Sequence, residues 1–418
     1  MSARWLKAGT LLTLWLATAG TVIWAAWLLI VPRYLRAAAL KELDQIGSLE
    51  FRNDSTYYSY ERDPRAIHRL ATLLRRANCA SLTLMGKQFD DIEPLLKLTS
   101  LQSLNLQRTT VRQLEVLAAL KSLQSLDLQG TLVSDLGPLS GLTDLQWLDL
   151  DDTAVRDVSP LAALTNLQVL YLRGTGVKDV GSLVELANLW RLDLEHTSVR
   201  DLRPLANLRK LQELCLGGTL VADLRSLAAI TSLKELYVED TAVSDVGVLA
   251  TLIGLRRINL ERTKVRDLGP LAELTNLQYL KLNGAPVSDL GPLAGLTNLR
   301  ELYLQKTLVR DAGALAALTN LELLDLDETL VTELGPLAAL TNLRALRLRS
   351  AAVNDVSPLA ALTNLTLLDL CGTSVRDVSP LAALTSLEWL FIDENRVSIE
   401  EVEELQKKLP KCAILRSK

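Results

Sequence analysis

A leucine or isoleucine returns every 22 residues from Leu98 to Leu384, through Leu120, Leu142, Leu164, Leu186, Leu208, Ile230 and Leu252, for thirteen consecutive intervals without an insertion. One such phrase cannot bury its own leucines, so a chain of this kind must stack neighbouring copies into a quasi-one-dimensional array. The shared phrase is L-T-N-L-Q-x-L-x-L-x-x-T-x-V-x-D-L-x-P-L-A-x. In "LQYLKLN", Leu280 and Leu282 are spaced by two, as a short strand needs to place both on one side. Val287, Leu290 and Leu293 then return inward beyond the turn. Gly, Pro or Thr in each copy breaks any 3.6-residue pattern, which argues against helical repeats. Aromatics make up only 4% of the residues, so leucine must supply most of the core.

Two polar columns accompany the period. Asp135, Asp157, Asp179, Asp201, Asp223, Asp245, Asp267, Asp289, Asp311, Asp355 and Asp377 precede the "LxPLA" step, where a helix N-cap is expected. Thr109, Thr131, Thr153, Thr175, Thr197, Thr219, Thr241, Thr263, Thr307, Thr329 and Thr373 stand where the strand ends and the backbone turns inward. Buried amides and carbonyls there need partners, and a ladder of hydroxyls bonding the backbone of adjacent coils is the expected solution. Ala285 and Ala351 are gaps in that ladder, and Asn395 takes the position at the C-terminal end.

The phrase resembles the leucine-rich repeat, L-x-x-L-x-L-x-x-N-x-L, over about residues 77–415. That resemblance implies an α/β solenoid with a parallel sheet on a concave face and short helical or 3-10 turns on the convex face. In-phase coils with "DLxPLAxLTNL" look like internalin repeats and like the leucine-rich repeat regulatory subunits of protein phosphatase 1, of a bacterial, membrane-anchored type. Those families usually place Asn where this chain has Thr, and neither family's ligand carries over.

Residues 1–76 hold eleven Lys/Arg against six Asp/Glu, a balance of +5 in a chain of net −4, leaving −9 on residues 77–418. An acidic repeat region argues against a nucleic-acid partner, which requires a concentrated basic face. Residues 8–31, "AGTLLTLWLATAGTVIWAAWLLIV", are 24 in a row without charge. At about 1.5 Å per residue they make about 36 Å of helix, enough to span a ~30 Å hydrocarbon core. Arg4, Lys7, Arg33 and Arg36 flank the run, with Trp5, Trp27 and Tyr34 near interface depth. A single-pass, uncleaved anchor is the expectation, with the repeats on the extracytoplasmic side; "ATAG" at 17–20 offers the alternative of a removed signal peptide. The expected organisation is an anchor over 1–32, a juxtamembrane linker over 33–62, a capping helix over 63–76, repeats over 77–397 and a C-terminal cap over 398–418. "SIEEVEELQKKLP" opens that cap with a capping box, Ser398 with Glu401.

No catalytic, metal or cofactor site is expected. His68 and His196 are the two histidines, and no Ser-His-Asp order, Gly-rich phosphate loop or HExxH run appears. Cys79, Cys215, Cys371 and Cys412 form no CxxC pair and read as thiols outside any disulfide. Function is instead expected on the outward face of the strands. Trp147, Asp149, Tyr171, Asp193, Tyr237, Arg257, Tyr279, Lys281 and Tyr303 fall there by register and include the residue types that dominate protein-binding hot spots. Exposed strands favour aromatics in any case, which is the plainer reading. The acidic set Asp127, Asp149, Asp151 and Asp193 admits a hydrolase or a calcium-binding protein as alternatives, and a structural envelope protein is a third.

Overall fold

The structure is a computed structural model that describes residues 48–52, 55–60, 72, 74–75, 79–84, 90–393 and 396–417. The expected anchor, most of the expected capping helix and Asn395 lie outside the described residues, within which no helix is long and apolar enough to cross a membrane. The chain divides into two compact units, Met1–Asp149 and Leu150–Lys418.

In the first unit, β1 (Ser48–Arg52) and β2 (Ser55–Tyr60) form an antiparallel hairpin inside the segment expected to be a linker. β2 then runs parallel to β3 (Ser81–Leu84), so strands, as well as helix, extend the array at its start. "STYYSY" has the β-branched and aromatic composition that suits this. β4 (Ser103–Asn105), β5 (Ser125–Asp127) and β6 (Trp147–Asp149) follow in parallel register. Thr72, Leu74 and Arg75 are the described helical residues of the 63–76 segment; Leu74 is fully buried and its carbonyl accepts from Cys79 N–H at 3.0 Å.

The second unit repeats one design. Its strands are β7 (Val169–Tyr171), β8 (Arg191–Asp193), β9 (Glu213–Cys215), β10 (Glu235–Tyr237), β11 (Arg257–Asn259), β12 (Tyr279–Lys281), β13 (Glu301–Tyr303), β14 (Leu323–Asp325), β15 (Ala345–Arg347), β16 (Leu367–Asp369) and β17 (Trp389–Asp393). All pair in parallel with each residue opposite its equivalent one period on, as Leu236, Ile258 and Leu280 are. The second residue of each strand points inward, joined by the residues two, seven, ten and thirteen places later. In one coil these are Leu280, Leu282, Val287, Leu290 and Leu293, all 2% exposed or less. Helix α1 (Ile399–Lys408) and the parallel edge strand β18 (Ala413–Ser417) close the end. Ser398 and Glu401 make the reciprocal capping bonds expected of them, and Leu405 and Leu409 are buried.

Between strands the chain makes a short 3-10 turn, such as Gly291–Gly295. The Asp column caps it from one position earlier than expected. Leu290 occupies the N-cap because its side chain is needed in the core, and Asp289 reaches past it so that Oδ1 accepts from Gly291 N–H at 2.8 Å. That is an Asx turn, which a short carboxylate can close over two residues.

The threonine ladder requires a correction. Each hydroxyl donates to the carbonyl three residues earlier in its own coil: Thr241 Oγ1 to Val238 O at 2.6 Å, Thr263 Oγ1 to Leu260 O at 2.7 Å. A hydroxyl on a two-atom arm closes its own turn more readily than it reaches a neighbour. The side-chain ladder between coils lies instead in the "LTNL" asparagines, where Asn298 Nδ2 donates to Thr275 O and Asn320 Nδ2 to Thr297 O, both at 2.8 Å. The residue before the Thr column is left-handed throughout, with Gly284 at φ +68° and His196 at +54°. His196 is exposed, in keeping with a turn role.

Candidate functional site

The pleat places the first and third residues of every strand, and the residue two beyond, on the outer sheet face. In the first unit, Asp127 on β5 is in register with Asp149 on β6, and Trp147 and Asp149 are half-buried. Asp127 is half-buried and bonded: burial pushes its carboxyl up, Oδ2 accepts from Asn105 Nδ2 at 2.8 Å and Oδ1 from Gln129 N–H at 3.0 Å.

In the second unit, Tyr171 and Asp193 come together around Arg191. The Arg191 guanidinium lies 5.1 Å from the Tyr171 ring centroid and 3.0 Å from Glu213. Asp193 departs from the expected solvent-facing strip. It is 8% exposed, its Oδ1 accepts from Glu195 N–H at 2.9 Å, and burial raises its pKa despite Arg173 and Arg191 nearby. The same turn recurs at Asp325, which is 4% exposed and accepts from Asp327 N–H at 3.0 Å. An Asp or Asn ending a strand is therefore first a turn-former here. Asp151 is likewise buried, and its Oδ1 takes Arg173 N–H at 2.7 Å.

Strands β10 to β13 gather Tyr237, Arg257, Tyr279, Lys281 and Tyr303 into one network. Arg257 lies 4.2 Å over the Tyr279 ring, and the Tyr279 and Tyr303 rings are 5.4 Å apart at 49°. Such cation–π and tilted aromatic pairs hold flat side chains in place, at about 0.5–1.5 kcal/mol each. Tyr237 OH donates to Glu235 Oε2 at 2.6 Å and Tyr303 OH to Glu301 Oε2 at 2.8 Å, while Lys281 is ion-paired with Glu261. Burial first, and these glutamates second, push the Tyr237 and Tyr303 phenols up. The five residues are half-buried, so each ring keeps an accessible surface.

Beyond β13 the face changes. Asp325, Asp327 and Asp369 stand among Arg347 and Arg349, with Arg347 3.8 Å from Asp325 and Arg349 3.4 Å from Asp369. Asp327 Oδ1 accepts from Arg349 N–H at 2.6 Å, yet burial and Asp325 push its pKa up to about 6. These residues, and Cys215 and Glu239, were not among the expected site residues; the 22-residue register that located the tyrosines also locates them. All four cysteines are buried and outside any disulfide, as expected.

A parallel solenoid of short strands, 3-10 turns and inward leucines defines the chain as a leucine-rich repeat protein. No protein-family model and no curated protein matches the sequence. Among solved structures it is similar to an internalin (inlF) from Listeria monocytogenes, at 26% identity, 78% of this chain, 93% of that one and a TM-score of 0.64. A leucine-rich repeat protein of Leptospira interrogans matches at 23% identity over 85% of this chain and 99% of its own, with a TM-score of 0.78. The ectodomain of a plant membrane receptor kinase from Arabidopsis thaliana, in complex with Casparian strip integrity factor 2, has 19% identity. That match covers 86% of this chain and 49% of the receptor chain, at a TM-score of 0.64. The chain thus has the leucine-rich repeat fold and is similar to an internalin.

Proposed function

We propose that this chain is a membrane-tethered binding protein whose outer sheet face, centred on β10–β13, takes a protein partner. The observation that carries this reading is the Arg257–Tyr279–Tyr303 stack. Three large side chains are fixed in advance on adjacent strands, so little side-chain entropy remains to be lost on binding. Phenols bonded to Glu235 and Glu301, and Lys281 paired with Glu261, give the platform polar edges. Trp147 and Asp149 on β6, and Tyr171 and Asp193 on β7–β8, are further candidate contacts on the same kind of face. The receptor kinase ectodomain that the chain resembles in fold was solved in complex with a bound factor, which supports a binding role for a repeat domain of this fold. Tethering rests on the uncharged run over residues 8–31, and the extracytoplasmic placement of the repeats on the short basic tail before it.

A photo-crosslinking residue at Lys281 should capture a protein partner in intact cells, and the same residue at Ser244, exposed in the loop after the Thr column, should not. Equal capture from both positions would remove the sheet-face assignment. Extraction of the full chain from membranes by alkaline carbonate, without detergent, would remove the anchor.

A further inference from the structure

Neighbouring coils of the second unit bring together a group of side chains apart from the Arg257–Tyr279–Tyr303 stack. Cys215 ends β9, in register with Asp193 on β8 and Tyr237 on β10. Two residues beyond the strand ends stand Glu195, Gly217 and Glu239, one per coil. Gly217 leaves a gap, and Glu239 leans into it: a Cβ on Gly217 would meet the Glu239 carboxyl carbon at 2.8 Å. In the same coils Cys215 Sγ and carboxylate oxygens of Asp193 and Glu195 lie all within 4.8 Å of one another.

The partners of these atoms do not account for them. Cys215 is 5% exposed, and its thiol has no hydrogen-bond partner among the described residues, whereas the Cys79 thiol donates to Ser81 O at 2.9 Å. Asp193 spends Oδ1 on Glu195 N–H, and Oδ2 remains. Glu239 Oε2 is buried without a partner. Cationic compensation is thin. Arg191 pairs with Glu213 and reaches Asp193 and Glu195 only at longer range, as does His196, and Arg173 approaches Glu195 to 3.7 Å from a half-exposed position. Two carboxylates, a third with an orphaned oxygen, and an unpartnered thiol thus share one largely buried corner.

The geometry points to a divalent-cation site formed by Asp193, Glu195 and Cys215, with Glu239 as the fourth candidate ligand, selective for a borderline metal such as Zn2+. Ligand atoms around a tetrahedral zinc lie roughly 3.5 Å apart, given bonds of about 2.0–2.3 Å, so a contraction of about 1 Å closes the set. One sulfur among oxygens favours zinc-like ions over Ca2+ or Mg2+, which prefer oxygen alone. On binding, Cys215 loses its thiol proton to solvent as the metal–sulfur bond forms, and the cation supplies the charge that the corner lacks.

Co2+ titrated into the purified full chain tests this, because cobalt–thiolate bonds give a charge-transfer band that carboxylates do not. We expect one Co2+ per chain with that band, displaced by stoichiometric Zn2+ and untouched by the same amount of Ca2+. Cys215→Ser should abolish the band, and Cys371→Ser should leave it. Glu195→Gln and Asp193→Asn should each weaken Co2+ at least about tenfold; the amide introduced by Asp193→Asn keeps an oxygen for Glu195 N–H, so this variant tests charge without removing the turn. Absence of saturable Co2+ binding, a band that survives Cys215→Ser, or displacement by Ca2+ would each overturn the site. If Cys215→Ser does not fold, unchanged affinity in both carboxylate variants overturns it equally.

Discussion

Strands β10–β13 and strands β14–β16 share one backbone, one register and one set of inward leucines, yet their outer faces differ in kind. The first carries tyrosine rings stacked with Arg257 and tied to glutamates; the second carries buried aspartates among arginines. In a parallel array of identical coils the interior is nearly invariant, because every core position faces its own copies. The outer face is free to vary strand by strand, so stability and recognition occupy separate columns of the same repeat.

The largest expected effect tests that separation from the inside. Leu280→Ala on β12 and Leu346→Ala on β15 each remove a side chain that is 0% exposed. Each should cost about 3 kcal/mol of folding stability, and by nearly the same amount, because the cavities are equivalent. Unequal losses in denaturant unfolding would break the claim that the two regions share an interior.

From the outside, Tyr279→Ala combined with Tyr303→Ala should weaken partner binding by about 2 kcal/mol or more. The paired change Arg347→Ala and Arg349→Ala on the second face should cost affinity far less. A binding titration with the captured partner checks this, and the reverse ranking would move the site to β14–β16.

The second face should instead reveal itself through pH. The folded pKa of Asp327, about 6, lies above its ordinary 3.8. A raised carboxylate contributes stability that is fully present below the unfolded pKa and lost as pH rises through the folded one. Raised values at Asp193, Glu195, Glu213, Glu239 and Asp325 act in the same direction. Lowered ones at Asp201 and Asp223 act only below that window. The denaturation midpoint should therefore rise from about pH 7 to about pH 5. Asp327→Asn, which keeps an acceptor for Arg349 N–H, should be more stable than the parent at pH 7, by a margin that shrinks by about 1 kcal/mol on going to pH 5 and vanishes only below about pH 4. A midpoint that falls on acidification over that interval would contradict the burial assigned to these acids.

The inward columns were legible in the sequence because a period of 22 and a spacing of two fix which side of the backbone a residue takes. Register also placed Tyr237, Tyr279 and Tyr303 on β10, β12 and β13. It did not show that Asp193 and Asp151 are buried acceptors, since burial on the outer face depends on neighbours one coil away. The direction of the threonine bonds was missed for a similar reason: composition names a donor, but reach selects its acceptor. The hairpin over 48–60 carries no repeat phrase, and strand composition is its one signal.

The smallest effects probe the threonine column, which both regions share and each interrupts once. Where Thr is present, its hydroxyl and its own N–H meet the same carbonyl; Thr263 N lies 3.3 Å from Leu260 O while Oγ1 lies at 2.7 Å. At Ala285, beside the tyrosine strands, the N–H closes to 2.9 Å on Leu282 O, and at Ala351, beside the aspartate strands, to 3.0 Å on Leu348 O. The alanine turns therefore compensate with the backbone bond and forgo one donor. Both sites are buried, and the coils on either side of Ala285 carry Thr263 and Thr307 in the same geometry, so a threonine fits without new strain. Ala285→Thr and Ala351→Thr should each gain roughly 0.5–1 kcal/mol, the net worth of one buried hydrogen bond, and Thr241→Val should lose about 1 kcal/mol. Ser244→Val, in the exposed loop, should change stability by less than about 0.5 kcal/mol. If threonine stabilises one gap and destabilises the other, the two regions differ in their interiors after all, and the separation of core from face fails where it is most sensitive.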